Sequence, residues 1–198
     1  MAQAPHASDD AVVVRRKCVA VEALRCRRTH AVRGAEAHGV DVSENMNAFA
    51  RRRAEECGVA VHHHHAGFLT YEHRGRPADA VITRSALHQL PDTWKQVALN
   101  RVAQMLRPGG QFYLWDVMWS FDASATIEQL PAWIAQSART PGEGFTKEMF
   151  ETHVREEFST FAWVLEGMIE RAGRPNNCRV ELPIVLVWRV PSSEAGMN

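Results

Sequence analysis

The chain has 198 residues, of which 45% are hydrophobic, so it is long enough for one domain with a sizeable core and short for two. Its 23 basic residues balance its 23 acidic residues, and a formal net charge of zero gives no electrostatic reason to expect nucleic acid or an acidic membrane as partner. The four cysteines have neither CxxC spacing nor the density of a disulfide framework, which is typical of a reducing cytoplasm.

The N-terminal residues contain acidic side chains and only a short apolar run, so they predict neither a signal peptide nor a membrane span. We expect residues 1–15 to be poorly ordered and residues 16–198 to form a single cytoplasmic domain.

From residue 39 onward, short apolar segments alternate with helical patterns, which favours a parallel sheet with crossover helices. Ser43 has the residue type and position of a helix N-cap, and Gly58 is placed to end that helix. A second helical pattern precedes the sequence RPGG, whose glycines suit a turn before the next strand. The predicted neighbouring parallel strands are residues 38–42, 59–63, 79–84 and 111–117.

Residues 62–65 are four consecutive histidines, which raises the question of a metal site. Successive side chains of a strand point to opposite faces, so at most two of these histidines converge, whereas a catalytic zinc site needs three protein ligands. We therefore interpret the run as a solvent-facing strand end and predict no metal site.

The segments GVDVSENM and DAVITRSALHQLPDTWKQVALNRVAQMLRPGGQFYLWDV together resemble the class I S-adenosylmethionine-dependent methyltransferases, in the order in which that family carries its motifs. The resemblance covers about residues 37–173. It implies a Rossmann-like α/β fold: a doubly wound, mostly parallel sheet with helices on both faces, irregular here at the N-terminus. It also implies S-adenosylmethionine as cofactor and a small-molecule methyl acceptor, whose identity the residues do not specify.

The resemblance implies cofactor-binding roles for five residues near the ends of the second and third strands. Asp41 ends a strand where an acidic residue can accept hydrogen bonds from ribose hydroxyls, and we expect an exposed carboxylate there. Val42 and Met46 suit an adenine edge, although packing and helix capping explain the same residue types. Gly67 and Phe68 match the region that flanks adenine in the family.

After the next strand, Arg84 and Ser85 match positions beneath the methionine part of the cofactor. His88 is the best-placed titratable group to act as a catalytic base, since an unperturbed imidazole has a pKa near 6.5. A structural histidine at this strand–helix junction is the alternative interpretation. A charged set in the C-terminal helical pattern is interpreted either as pocket residues or as a solvated helix face: His153, Arg155, Glu156 and Glu157. An aromatic set is interpreted either as pocket residues or as core filling: Trp115, Trp119, Phe121 and Trp133.

The family's first motif is a strand, an acidic residue and a glycine-rich loop that lets the cofactor approach the backbone. Residues 19–21 fit the strand and Glu22 fits the acidic position, but residues 23–30 contain no glycine. Some codon choices for residues 24–28, read one base later, encode Cys-Gly-Ala-Gly-Gly. A shifted reading frame, a diverged loop and an inactive paralogue all remain open as explanations.

Two other classes of protein compete with a methyltransferase. A nicotinamide-dependent oxidoreductase also uses an acidic residue after the second strand, but this chain contains neither GxGxxG nor a YxxxK pair. A non-catalytic methyltransferase-like protein is the stronger alternative, because the glycine loop is missing.

Overall fold

The computed structural model describes the backbone of residues 10–14, and the backbone and side chains of residues 36–172. The strands in these ranges are β1 (Asp10–Val14), β2 (Ala37–Asp41), β3 (Val61–His65), β4 (Ala78–Arg84), β5 (Leu106–Trp115), β6 (Met118–Trp119) and β7 (Thr160–Phe161). The helices are α1 (Glu44–Glu56), α2 (Asp92–Met105), α3 (Thr126–Ser137), α4 (Lys147–Glu156) and α5 (Ala162–Ala172).

The main sheet has five strands in the order β3-β2-β1-β4-β5. β2 pairs with β3 and β4 pairs with β5 in parallel, whereas β1 is antiparallel to both β2 and β4. β2 to β5 therefore all point in one direction, and the predicted α/β architecture with four such strands is confirmed. The expectation that these four strands are all neighbours is wrong, because β1 separates β2 from β4.

The central strand β1 runs against the other four. Val12 lies opposite Gly39 on one side and Ile82 on the other, while Val14 lies beside Ala37 and Ala80. The chain consequently leaves β1 at the edge where β2 and β4 begin. The first-motif strand predicted at residues 19–21 lies outside the described residues. So does most of the segment 1–15, of which residues 10–14 form β1; the domain boundary stays a prediction.

Local signals explain where α1 begins and ends. The Ser43 side chain accepts a hydrogen bond of 3.3 Å from the backbone N–H of Met46, which confirms the predicted N-cap. Gly58 has a φ of +64°, the left-handed conformation that commonly ends a helix. α1 buries Asn47, Ala50 and Ala54 as it packs against β2 and β3.

Two apolar clusters form the core of the described residues. The larger one joins Val81 and Phe112 of the sheet to Leu99 of α2 and Ile169 of α5. A smaller cluster beyond β5 consists of Trp119, Phe121, Trp133 and Ile134. None of the described helices has the length and apolar character that crossing a membrane requires.

Candidate functional site at the carboxyl edge of the sheet

β2, β3, β4 and β5 all end at one edge of the main sheet, which we call the carboxyl edge. In open α/β sheets ligands bind outside this edge, because the loops that follow the strands diverge there and leave a crevice. The predicted site residues that fall within the described part of the chain all lie on or near segments that follow these strands. Glu22 lies outside the described residues.

Asp41 ends β2 at the carboxyl edge and is fixed by its surroundings. Its Oδ1 accepts a hydrogen bond of 2.6 Å from the backbone N–H of Ser43. Its carbonyl oxygen accepts hydrogen bonds from Asn47 Nδ2 at 2.8 Å and from the backbone N–H of Ala66 at 3.1 Å. The expectation of an exposed carboxylate is wrong, since only 4% of Asp41 is accessible. Burial makes Asp41 part of the local framework as well as a candidate ligand.

Val42 and Gly67 meet where β2 and β3 end. A Cβ added to Gly67 would lie 2.6 Å from Val42 Cγ1, well inside van der Waals contact. His65 Nε2 lies 2.8 Å from the Val42 carbonyl oxygen, which holds the two strand ends together. Phe68 packs on the larger core cluster, and Met46 is half-buried on α1. The structure thus brings Val42 close to Gly67, while Phe68 contributes to the core.

Ser85 has an unusual backbone at the end of β4. Its φ of +49° makes it the only described non-glycine residue with positive φ, and its N–H donates a 2.7 Å hydrogen bond to the Trp115 carbonyl. Such conformations cost free energy and cluster at functional sites. The neighbouring Arg84 guanidinium lies 3.8 Å from the centre of the Trp115 ring, a cation–π contact. Both predicted residues therefore lie at the junction of β4 and β5.

His88 is buried and bonded to Asp116, the residue that follows β5. Its Nδ1 contacts Asp116 Oδ1 at very short range, and its accessible fraction is 4%. Asp116 Oδ2 also accepts backbone hydrogen bonds from Leu87 at 2.7 Å and His88 at 3.2 Å, and Oδ1 accepts one from Val117 at 2.8 Å. The carboxylate thereby orients the imidazole, as in other histidine sites where one nitrogen is held so that the other can act.

The other nitrogen of His88 faces the end of α4. Glu157 Oε2 lies 3.0 Å from His88 Nε2 and also makes a very short contact with His153 Nδ1. The remaining nitrogen of His153, Nε2, lies 2.8 Å from Ser159 Oγ. Two imidazoles therefore converge on one carboxylate, and each has its second nitrogen held by another polar group.

The segment that carries Glu157 is tied to the rest of the domain. The backbone N–H of Phe158 donates a 2.8 Å hydrogen bond to the His88 carbonyl, and Lys95 Nζ donates to the Phe158 carbonyl. Lys95 is 1% accessible, and its Nζ also pairs with Asp92 at 2.8 Å. A buried ammonium is tolerated because it is paired and hydrogen-bonded. These contacts fix the position of Glu157 relative to His88.

This arrangement shifts the pKa values of His88 and Glu157. Burial lowers the pKa of His88, but hydrogen bonds to Asp116 and Glu157 outweigh it and raise the pKa to about 9. Burial raises the pKa of Glu157, but hydrogen bonds from His153 and His88 outweigh it and hold that pKa well below its usual range. At neutral pH, His88 is an imidazolium between two carboxylates, so it does not act as a base in this state.

The aromatic residues divide between the two interpretations given above. Trp119, Phe121 and Trp133 are buried in the smaller core cluster, where Trp119 and Trp133 meet edge to face with centroids 5.0 Å apart. The indole N–H of Trp133 has no hydrogen-bond partner among the described residues. Trp115 is instead 36% accessible and lies against Arg84. Core filling therefore accounts for three of the four residues.

The structure brings His88, His153, Glu157 and Asp116 into one cluster, which the sequence interpretation did not assemble. His153 and Glu157 are not simply on a solvated face, since both carry buried contacts with His88 or Ser159. Asp116 was not singled out, although its place directly after β5, beside the β4 end that precedes His88, was a usable signal. Parallel neighbouring strands end at the same edge, so residues that follow them are brought together.

The chain is similar to known methyltransferases over part of its length. Residues 23–110 match a family profile described as a methyltransferase domain. Phosphoethanolamine N-methyltransferase 2 of Caenorhabditis elegans is 29% identical over 106 residues, which cover 53% of this chain and 23% of the relative. Ubiquinone biosynthesis O-methyltransferase of Aromatoleum aromaticum is 35% identical over 95 residues, which cover 47% of this chain and 39% of the relative. The chain therefore aligns with less than half the length of either relative.

Proposed function

We propose that this chain is a class I S-adenosylmethionine-dependent methyltransferase that transfers a methyl group from S-adenosylmethionine to a small-molecule acceptor. The observation that carries the proposal is that Asp41, Gly67, Ser85 and His88 all lie at or just after the carboxyl ends of β2, β3 and β4, at one edge of the sheet. The balanced charge of the chain gives no reason to propose a nucleic acid as acceptor. We extend the proposal to a cytoplasmic location, on the basis of the cysteine pattern.

The described residues suit the nucleoside end of this cofactor. Asp41 would accept hydrogen bonds from the ribose hydroxyls at the end of β2. Val42 and Gly67 would line the adenine, because they meet where β2 and β3 end at the carboxyl edge. Arg84 and Ser85 would lie beside the methionine part, after β4.

When bound, S-adenosylmethionine supplies an electrophilic methyl group on a sulfonium. The residues of the chain contribute by holding the acceptor in line with that methyl group and by excluding water, which can provide most of the acceleration in such a displacement. The acceptor site is proposed beside His88 and Trp115, after the neighbouring ends of β4 and β5. The similar proteins named above methylate nitrogen and oxygen respectively, so the acceptor atom is left open.

His88 retains its proposed role near the acceptor, with a condition that the contacts impose. Its Nε2 is engaged by Glu157 and lies 3.1 Å from Gln89 Nε2, so an acceptor reaches it only after Glu157 moves aside. Asp116 would keep the ring in place during that exchange, since it bonds to the opposite nitrogen.

Calorimetric titration of the purified chain with S-adenosylmethionine tests the proposal, with Asp41→Asn as the diagnostic variant. Loss of a hydrogen bond to a charged group costs about 1.5–3 kcal/mol, so affinity should fall at least about tenfold. Asp79→Asn is the matched control, because Asp79 pairs with Arg107 near the opposite edge of the sheet. Urea denaturation of both variants separates a binding defect from loss of the fold. Tight binding that Asp41→Asn leaves unchanged would remove the ribose role and the cofactor assignment with it.

A non-catalytic methyltransferase-like protein is the second candidate, favoured by the absence of glycine from residues 23–30. No measurable binding of S-adenosylmethionine to the parent chain, together with binding after a glycine-rich sequence replaces residues 24–28, would support it. Under the catalytic proposal the parent already binds, the replacement strengthens binding, and adding Asp41→Asn to the replacement weakens it again. Titration with NADH in parallel checks the oxidoreductase alternative.

A further inference from the structure

Three side chains of metal-ligating type meet beside the carboxyl edge, and methyl transfer does not require their convergence. His88 lies in the short 3₁₀ helix Leu87–Gln89 after β4, His153 lies in α4, and Glu157 follows α4. One ligand atom of each lies within 4.8 Å of the other two. Among residues 36–172, this is the one group of three or more such residues that meets that distance.

We propose that His88 Nε2, His153 Nδ1 and Glu157 Oε2 form a binding site for one divalent first-row transition-metal ion. Two imidazoles and one carboxylate are a donor set used for catalytic Zn²⁺ and for non-haem Fe²⁺. Three protein ligands leave at least one coordination position for water or an exogenous oxygen ligand.

The separations suit a shared ion. Ligands that each lie about 2.0–2.2 Å from one metal stand roughly 2.8–3.6 Å from each other in octahedral or tetrahedral arrangements. His88 Nε2 and Glu157 Oε2 are 3.0 Å apart. The His153 contact with the same oxygen is shorter, so the ring must withdraw slightly to admit an ion.

The nitrogens that face away from the cluster are held in the manner of metal-binding histidines. Such histidines commonly donate their other N–H to a carboxylate, a carbonyl or another oxygen, which fixes the tautomer and the ring orientation. Asp116 performs this role for His88 Nδ1, and Ser159 Oγ, at 2.8 Å, performs it for His153 Nε2. With both N–H groups held there, each ring presents its lone pair to an ion on the nitrogen that faces Glu157, once the ion has displaced the proton from that nitrogen.

The surroundings hold two ligand-bearing segments in register before any ion arrives. The Phe158 N–H bonds to the His88 carbonyl at 2.8 Å, and buried Lys95 bonds to the Phe158 carbonyl. Asp116 and Glu157 also supply two carboxylates, whose negative charge favours a dication over a single proton on His88. Pre-positioned ligands lower the entropic cost of binding.

This site differs from the histidine run considered in the sequence. His62 and His64 lie on one face of β3 beside His38, whereas His63 faces α1. None of the four belongs to the group that meets the distance above. They can nevertheless capture ions adventitiously, so the test must separate them from the proposed site.

The test uses the full chain carrying His62→Gln and His64→Gln, freed of metal with a chelator and then titrated with Co²⁺ by visible absorption. Equilibrium dialysis with Zn²⁺ counts ions per chain. We expect one ion per chain, with affinity reduced about a hundredfold or more by Glu157→Gln or His153→Gln. Asp116→Asn acts on the positioning of His88, and should weaken binding about 10–100-fold.

Glu151→Gln is the matched control, because Glu151 lies on α4 and pairs with Lys147 at the surface; it should leave binding unchanged. Circular dichroism establishes that each variant is folded, and using two independent ligand variants protects the test against failure of one to fold. Absence of bound metal in the chain that carries His62→Gln and His64→Gln would overturn the proposal. So would an affinity that neither Glu157→Gln nor His153→Gln lowers relative to that chain. No cofactor or acceptor is added, so the result is independent of the proposed methyl transfer.

Discussion

The first prediction concerns the contribution of Asp116, at the carboxyl edge, to the free energy of unfolding. Its side chain is 2% accessible and accepts hydrogen bonds from three backbone N–H groups, those of Leu87, His88 and Val117. It also pairs with the imidazole of His88. Asp116→Asn preserves the size of the side chain, removes its charge and replaces one acceptor oxygen with an NH₂ donor that faces other donors.

The expected loss of stability follows from these contacts. Hydrogen bonds to a charged group contribute about 1.5–3 kcal/mol each, but the remaining oxygen of asparagine keeps part of that network. Breaking a buried ion pair by removing one partner costs about 3–5 kcal/mol, because the other charge is left uncompensated. We therefore expect Asp116→Asn to lower the free energy of unfolding by about 3–5 kcal/mol, a large share of the 5–15 kcal/mol typical of a domain.

Urea denaturation followed by circular dichroism, with a chelator present throughout, measures this difference. Glu151→Gln is the control, because the Glu151 side chain is 46% accessible and pairs with Lys147 at the surface. NMR titration of His88 gives a second readout, since loss of the Asp116 charge should bring its pKa down from about 9. A stability change below about 1 kcal/mol with an unaltered His88 titration would refute the argument.

Two further predictions concern the β2–β3 side of the sheet. Gly67→Ala should weaken binding of S-adenosylmethionine in calorimetry with little loss of stability, because the new Cβ meets the accessible Val42 side chain. Adding Val42→Ala should then restore binding, and failure of that rescue would contradict a steric cause. Burial lowers the pKa of both His38 and His64, so the unfolded chain binds protons more readily and the free energy of unfolding should fall as pH drops below about 6.5. His64→Gln should reduce that pH dependence in denaturation measured at pH values from about 8 to about 5.5, and an unchanged slope would exclude His64 as a source of it.

Local patterns in the sequence predicted the structural elements whose formation depends on residues close together in the chain. The N-cap at Ser43 and the helix end at Gly58 were predicted because capping depends on residues within one turn. The strands around Val40, Val81 and Phe112 were predicted because a buried strand requires a continuous apolar run. The resemblance of these segments to a methyltransferase family then indicated the edge at which we propose the site.

Tertiary structure decided three features: which segment forms the central strand and in which direction it runs, the burial of Asp41, and the cluster around His88. β1 contacts β2 and β4 through backbone hydrogen bonds, which carry little sequence information, so its antiparallel direction had no local signal. His88, Asp116 and Glu157 are separated by 28 and 41 positions in the chain and meet because two parallel strands end side by side and Lys95 holds the Phe158 backbone near them. Helical spacing alone describes His153 and Glu157 as one turn of a polar face. Contact with a buried imidazole from another segment gives them a shared chemistry, because burial and opposite charge act through space rather than along the chain.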